Sequence, residues 1–253
     1  MPSIDGFELP RQGGARVAFF GGSFDPPHLG HLAVAHAARK AFGLDAVLFA
    51  PVGAQPLKPE GASAGFQDRV AMTRLAIAGE PGFTVSLADA PRLDGSEGSA
   101  PKCAPNYTID TLGGLRAKLG PDSVLYCLIG ADSFLSLRDW HRAAEVPFVA
   151  RLIVASRPGQ PLEGLKTALP PGVKLEAAPE ADSSESGVEV RAFVLVDERG
   201  ERMPFYVLPG LDVPISATEI RAQIQASGGP AAGRNLVPAA VREYIAQHKL
   251  YHS

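Results

Sequence analysis

Gly21-Gly22-Ser23-Phe24-Asp25-Pro26-Pro27-His28-Leu29-Gly30-His31 stands between a short apolar run, Val17 to Phe20, and a stretch, Leu29 to Phe42, in which Leu32, Ala35, Ala38 and Phe42 recur at helical spacing. The first run, bounded by glycines, predicts a fully buried strand. The second predicts a helix that Gly43 stops. The next apolar run, Ala46 to Ala50, predicts another strand. Strand, helix and strand within roughly 35 residues make a βαβ unit, which implies parallel strands with helices on the sheet faces.

The alternation continues outward from that unit. It predicts a helix near Phe66 to Ala78, a strand at Phe83 to Leu87, a helix at Thr108 to Leu119, and strands at Val124 to Ile129 and Arg151 to Ala155. Two closing helices are expected at Ala217 to Ala226, with Ser216 as its cap, and at Pro238 to His248. The fold class is therefore α/β, a doubly wound and mostly parallel sheet. Residues 1–15 read as a flexible lead-in and residues 16–253 as a single domain. Two stretches break the rhythm. Asp89 to Asn106, rich in Gly, Pro and Ser, reads as a mobile loop beside the sheet. Residues 177–208 read as an inserted loop and hairpin, with Val188 to Val196 and Met203 to Leu208 flanking the turn Asp197 to Arg202, its edge free to pair with another chain and no chemistry expected of it.

Composition narrows the function. With 253 residues, 45% hydrophobic and 20% charged, the chain can bury a sizeable core. Its 24 basic and 27 acidic residues give a net charge of -3, which offers no positive field to a nucleic-acid backbone. The two cysteines, Cys103 and Cys127, lack metal-type spacing and suit a reducing cytoplasm, with Cys127 in a buried strand. Met1 to Ala15 lacks the basic start and apolar run of a secretory signal, and no segment approaches the ~18 apolar residues of a membrane span. A cytoplasmic protein without membrane or nucleic-acid partners is expected. Its subunit count is left open, a homo-oligomer included.

The quoted segment lies where chemistry is expected. Open α/β sheets bind ligands at the carboxyl ends of their strands, where a helix N-terminus offers amides and a positive dipole end to phosphate. The segment is neither the dinucleotide fingerprint nor a P-loop. His28 and His31, three residues apart on an opening helical turn, project to one side, where ring N–H groups can reach phosphate oxygens. Taken singly, each also fits as a helix cap or core residue. A second set, Ile215-Ser216-Ala217-Thr218-Glu219-Ile220-Arg221, supplies hydroxyls, helix-start amides and a planar cation suited to polyphosphate; ordinary capping with a solvated Arg221 is the plain alternative.

Together these two segments resemble the His-x-Gly-His nucleotidyltransferase superfamily, whose second signature is Ile-Ser-x-Thr-x-Ile-Arg. Within it the chain is similar to the bacterial nicotinate mononucleotide adenylyltransferase family over roughly Val17 to Tyr251. Further segments carry that likeness in order: Arg69-Val70-Ala71-Met72, Asn106 to Leu112, Ile129-Gly130-Ala131-Asp132-Ser133-Phe134, Trp140-His141, Ser156-Arg157-Pro158-Gly159 and Leu236-Val237-Pro238. The resemblance implies a Rossmann-like fold and transfer of AMP from ATP to nicotinate mononucleotide, giving deamido-NAD and pyrophosphate. It implies that His28, His31, Ser216, Thr218 and Arg221 contact ATP phosphates, with His28, His31 and Arg221 catalytic, while Gly21, Gly22 and Ser23 line the nucleotide cleft. Mg²⁺ is expected to arrive with the ATP phosphates, without a dedicated protein cage.

By the same resemblance the nicotinate end is read by Trp140, stacking on the pyridinium ring, and by amides around Thr108 that receive the ring carboxylate. Asp132 resembles a ribose-binding aspartate, and also fits as a helix cap before Ser133. Lys58 matches a basic position that reaches the mononucleotide phosphate, although Leu57 stands where relatives often carry His. Asp25 is expected to orient a histidine or the Ser23 turn rather than act as a base; His36, His141, His248 and His252 are expected to be structural. Pantetheine-phosphate adenylyltransferases share both phosphate signatures but are shorter and lack the Tyr-Thr and Trp-His pair. A nicotinamide mononucleotide enzyme differs by one group on the substrate. Class I aminoacyl-tRNA synthetases would carry a Lys-Met-Ser-Lys-Ser string, which is absent. A nucleotide-sensing module without turnover is the non-enzymatic alternative.

Overall fold

Seven consecutive residues open the sheet as β1, Arg16–Gly22, and its apolar centre from Val17 to Phe20 is buried. The computed structural model describes residues 3–4, 7–8, 14–57, 60–93, 103–156, 162–178, 187–209, 215–227 and 236–252. Helix α1 follows at Leu29–Phe42, and Gly43, at φ 56°, ends it in the left-handed conformation that glycine adopts without a Cβ clash. Then come β2 (Ala46–Pro51), α2 (Phe66–Ala76), β3 (Phe83–Val85), α3 (Thr108–Lys118), β4 (Val124–Gly130), α4 (Ala131–Leu135), α5 (Val146–Val149) and β5 (Arg151–Ala155). Helix α6 (Leu162–Ala168), β6 (Lys174–Ala177), β7 (Arg191–Val196), β8 (Arg202–Leu208), α7 (Ala217–Ser227) and α8 (Ala239–Gln247) complete the order.

The chain divides into two compact units, each assembled from separated segments. The first holds residues 1–20, 34–48 and 107–212, and the second holds 21–33, 49–106 and 213–253. Strands β1 and β2 run from the first into the second.

In the first unit the strands are ordered β6-β7-β8-β5-β4-β1-β2. Neighbours β1 and β4, and β4 and β5, are parallel, as the βαβ pattern predicts, and β5 and β8 are parallel too. Apolar side chains on these strands face the core, with Val17, Cys127, Leu128, Ile153, Val154 and Phe205 fully buried. The rings of Phe134 and Phe205 stack at 5.4 Å, and Phe42 meets Tyr206 at 4.8 Å. Gly14 is required where it stands: a Cβ would lie 2.1 Å from the carbonyl oxygen of Asp122.

The second unit holds the ends of β1 and β2, strand β3, and helices α2, α7 and α8. Strand β3 follows β2 at the sheet edge. Helices α2 and α8 pack together, and the Tyr244 hydroxyl of α8 donates to Asp68 at 2.9 Å.

Several boundaries differ from those the sequence suggests. The strand expected to reach Leu87 ends at Val85, where Ser86 accepts the Ala88 amide and turns the chain. Within Asp89 to Asn106, Arg92–Leu93 pairs antiparallel with Cys103–Ala104, and residues 94–102 lie outside the described residues. Within the lead-in, Ser3–Ile4 pairs with Phe7–Glu8. The hairpin forms, its turn closed by Asp197 Oδ1 accepting the amides of Arg199 and Glu201, but it is no appendage to the sheet. Strand β8 pairs in parallel with β5, and β6 covers the outer edge of β7. The half-polar β6 and the short α4, α5 and α6 carry too little periodicity to be read from sequence.

Candidate active site

The β1 to α1 turn lies in the second unit, and its first residues are set by close packing. A Cβ on Gly22 would meet the Phe24 ring at 3.2 Å, and the Gly22 carbonyl accepts the Val52 amide at 3.0 Å. The Ser23 hydroxyl donates to Gln55 Oε1 at 3.2 Å. Phe24 is buried with φ 47°, a left-handed backbone that a bulky residue holds only where its surroundings fix it. Those surroundings are the Phe49 ring at 5.6 Å and the edge of His31 at 4.9 Å.

His28 and His31 come together as their spacing suggests. Their rings stack at 3.7 Å, and the His28 amide donates to His31 Nδ1 at 3.1 Å. His28 is 8% exposed, and its Nδ1 is buried without a hydrogen-bond partner among the described residues. Burial pulls the His28 pKa down to about 4. Burial lowers His31 well below the ordinary histidine value too, and the neighbouring His28 charge lowers it further. Both rings are therefore neutral near pH 7. As neutral imidazoles each carries one ring N–H donor and one lone pair. The open helix end is partly occupied: the Leu29 amide donates to the Leu236 carbonyl at 2.9 Å and the His31 amide to the His28 carbonyl at 2.9 Å.

The second signature joins the first in the same unit. Arg221 Nη1 donates to the Asp25 carbonyl at 2.7 Å and stands 3.7 Å from Asp25 Oδ2, while Nη2 donates to Thr218 Oγ1 at 3.3 Å. The plain alternative of a solvated arginine is thereby replaced by a half-buried, oriented one. Ser216 Oγ accepts the Glu219 amide at 3.1 Å, so Ser216 caps α7 as the sequence indicates and keeps its own O–H for another acceptor. Asp25 orients neither a histidine nor the Ser23 turn through its carboxylate. Its oxygens accept from the amides of Ser63 and Ala64 and from the Tyr251 hydroxyl, because the turn points the side chain into the unit's interior.

Arg69 was visible in the sequence only as part of a segment. It is 3% exposed, and its guanidinium donates to the carbonyls of Ala64, Ser23 and Val52, tying the glycine turn to the loop after β2. A signal for this exists: Arg69 shares the buried stripe of α2 with Val70, Thr73 and Ala76. Asn106, also buried, donates from Nδ2 to the Ala90 carbonyl and accepts the Ala54 amide. Gly53 sits where a Cβ would fall 2.5 Å from Pro91 N.

Thr108, Asp132 and Trp140, expected at the nicotinate end, lie in the first unit. Tyr107 holds the cap position of α3 without a side-chain cap, and its carbonyl accepts the amides of Asp110 and Thr111. His141 lies over Tyr107 at 4.2 Å, which brings Trp140 and Thr108 into one neighbourhood and gives His141 its structural role. Trp140 is half-buried rather than a core anchor, and its Nε1 donates to Ser136 Oγ at 3.4 Å. Asp132 is exposed as the second residue of α4; Gly130 holds the cap position, so the capping alternative for Asp132 does not hold. Lys58 lies outside the described residues, as do Arg157 to Gly159.

No helix among the described residues is long and apolar enough to cross a membrane. Residues 19–223 match the cytidylyltransferase-like family. A Laribacter hongkongensis protein named as a probable nicotinate-nucleotide adenylyltransferase is 39% identical, with 97% of each chain covered. A Solibacter usitatus protein of the same name is 36% identical over 94% of this chain and 100% of its own. Among solved structures, Plasmodium falciparum nicotinic acid mononucleotide adenylyltransferase complexed with NaAD matches with a TM-score of 0.61 over 94% of this chain and 97% of that one. At 15% identity that likeness is one of fold. With a family match spanning most of its length and full-length relatives above 35% identity, this chain belongs to the cytidylyltransferase-like family and, within it, to the nicotinate-nucleotide adenylyltransferases.

Proposed function

We propose that the chain transfers AMP from ATP to nicotinate mononucleotide, releasing pyrophosphate and forming deamido-NAD. The observation that carries this reading is the meeting of His28, His31, Thr218 and Arg221 in one unit, from segments 190 residues apart, in a chain whose full-length relatives bear that enzyme's name. A phosphate oxygen of the mononucleotide attacks the α-phosphorus of ATP in line, the bond to the β-phosphate oxygen breaks, and no bond to the protein forms. The protein's share is to place both reactants and to stabilise spreading negative charge.

Each residue has its own role in this reading. His28, whose buried Nδ1 has no hydrogen-bond partner among the described residues, and His31, stacked on it, are the imidazoles that meet phosphate oxygens. Arg221, held by Asp25 and Thr218, keeps donors for the β- and γ-phosphates, and Ser216 and Thr218 add hydroxyls. Gly21, Gly22 and Ser23 let the nucleotide approach the backbone. Trp140 stacks on the pyridine ring, Thr108 and its neighbouring amides receive the ring carboxylate, Asp132 accepts ribose hydroxyls, and Lys58 reaches the mononucleotide phosphate. Mg²⁺ fits this reading as an ion carried on the ATP phosphates, since it keeps several waters and takes few protein ligands, and it belongs to the substrate. The setting we propose is the cytoplasm.

The test is pyrophosphate release from Mg²⁺ and ATP with nicotinate mononucleotide, nicotinamide mononucleotide or phosphopantetheine offered separately at equal concentration. A strong preference for the nicotinate compound is expected. Preference for either other acceptor would overturn the roles given to Thr108 and Trp140, and silence with all three from folded protein would favour a nucleotide-sensing module.

A further inference from the structure

After α8 the backbone turns back on itself through Lys249 and Tyr251, at φ 50° and 66°. Left-handed backbone is sterically unfavourable for a bulky side chain and persists where other contacts over-determine it. For Tyr251 those contacts are burial, at 8% exposure, and a 2.7 Å hydrogen bond from its hydroxyl to Asp25 Oδ1. Burial pushes the phenol far above its ordinary pKa, and the adjacent Asp25 charge pushes it further, so the O–H stays a donor at every working pH. Arg221 and Arg69 face the same group and act in the opposite sense without reversing it.

Asp25 is the point at which this contact meets the phosphate site. Its carboxylate is 3% exposed; Oδ1 accepts from Tyr251 and the Ala64 amide, and Oδ2 accepts from the Ser63 amide and faces Arg221 at 3.7 Å. The terminal torsion of an aspartate is soft, so acceptor contacts on both oxygens are what set it. Turning the carboxylate would move Oδ2 away from the guanidinium, leaving Arg221 with the Asp25 carbonyl and Thr218 alone.

We propose that Tyr251 is a positioning residue for the phosphate site: its hydroxyl fixes the rotation of the Asp25 carboxylate, which holds the Arg221 guanidinium in the orientation that meets polyphosphate. This rests on the role proposed for Arg221 toward ATP. A mere anchor for the segment after α8 would need the ring of Tyr251 but would not couple its hydroxyl to Arg221.

The experiment is a double-mutant cycle on the full chain with Y251F and R221K, reading kcat and KM at a temperature where circular dichroism shows every variant folded. Y251F keeps the buried ring and deletes only the hydroxyl. We expect it to lower kcat about tenfold, with KM for nicotinate mononucleotide within about twofold of wild type, and to cost less than about twofold when R221K is already present. An unchanged kcat, or the same loss in both backgrounds, would overturn the proposal. Should the wild-type chain transfer AMP to no acceptor, the functional reading fails and the proposal is decided by calorimetry with inorganic tripolyphosphate. Affinity weakened several-fold by Y251F in the wild-type background, but not in R221K, supports it; equal affinity for wild type and Y251F sinks it.

Discussion

The imidazoles of His28 and His31 lie face to face, 3.7 Å apart with their planes inclined by 27°, and the His28 amide donates to His31 Nδ1. That hydrogen bond assigns the His31 proton to Nε2, because Nδ1 must present its lone pair. Two buried neutral rings can stand this close; two imidazolium ions could not.

Replacing His31 tests its part in charge stabilisation. His31→Ala is expected to lower kcat for AMP transfer by about 10²-fold to 10³-fold, the range seen when one transition-state donor is removed. The check is pyrophosphate release with the variant's folding confirmed by circular dichroism; turnover within a few-fold of wild type would remove His31 from the mechanism.

Stability should follow the histidines as pH falls. His28 is lowered to about 4 in the folded chain and His31 is lowered also, whereas unfolded histidines protonate near 6.5. Between those values the unfolded chain binds more protons, so stability is full above about pH 6.5 and declines toward pH 4, by roughly 3 kcal/mol for His28 alone. Urea unfolding at several pH values measures this. His28→Asn should flatten the profile in that window, and an unchanged slope would show that His28 is not buried neutral.

Trp140 separates the two substrates. Trp140→Ala is expected to raise KM for nicotinate mononucleotide about tenfold, equivalent to one lost stacking contact, and to leave KM for ATP within about twofold. A change confined to ATP would contradict the assignment.

Arg69 is predicted to matter first for stability. Arg69→Met keeps much of the side-chain volume but strands the carbonyls of Ser23, Val52 and Ala64 and removes a cation acting on buried Asp25. A loss of about 3 kcal/mol is expected from uncompensated buried polar groups, measured by chemical denaturation. A loss below about 1 kcal/mol would mean that water replaces the guanidinium there.

Local sequence carried the fold because apolar periodicity and glycine stops act over a few residues. Helix α1 occupies Leu29–Phe42 and β5 occupies Arg151–Ala155 where the pattern places them, and Ser216 caps α7 through a contact only three residues long. The His28 and His31 stack was legible for the same reason, since one helical turn brings both rings to one side. The attachment of the hairpin to β5 was not legible, because strand pairing depends on backbone groups whose partners lie some fifty residues away.

Tertiary structure alone decided how the charged groups are spent. Asp25, read locally as a partner for its own turn, is held by Ser63, Ala64, Tyr251 and Arg221, the last two lying 226 and 196 residues further on. Arg69, in the sequence only one member of a family-like segment, is the residue on which the carbonyls of Ala64, Ser23 and Val52 converge. A residue's type states which hydrogen bonds it can make, and spacing states which neighbours along a helix or strand it can reach. Which distant donor or acceptor satisfies a buried group depends on where the folded chain brings its segments, and only the closed core fixes that.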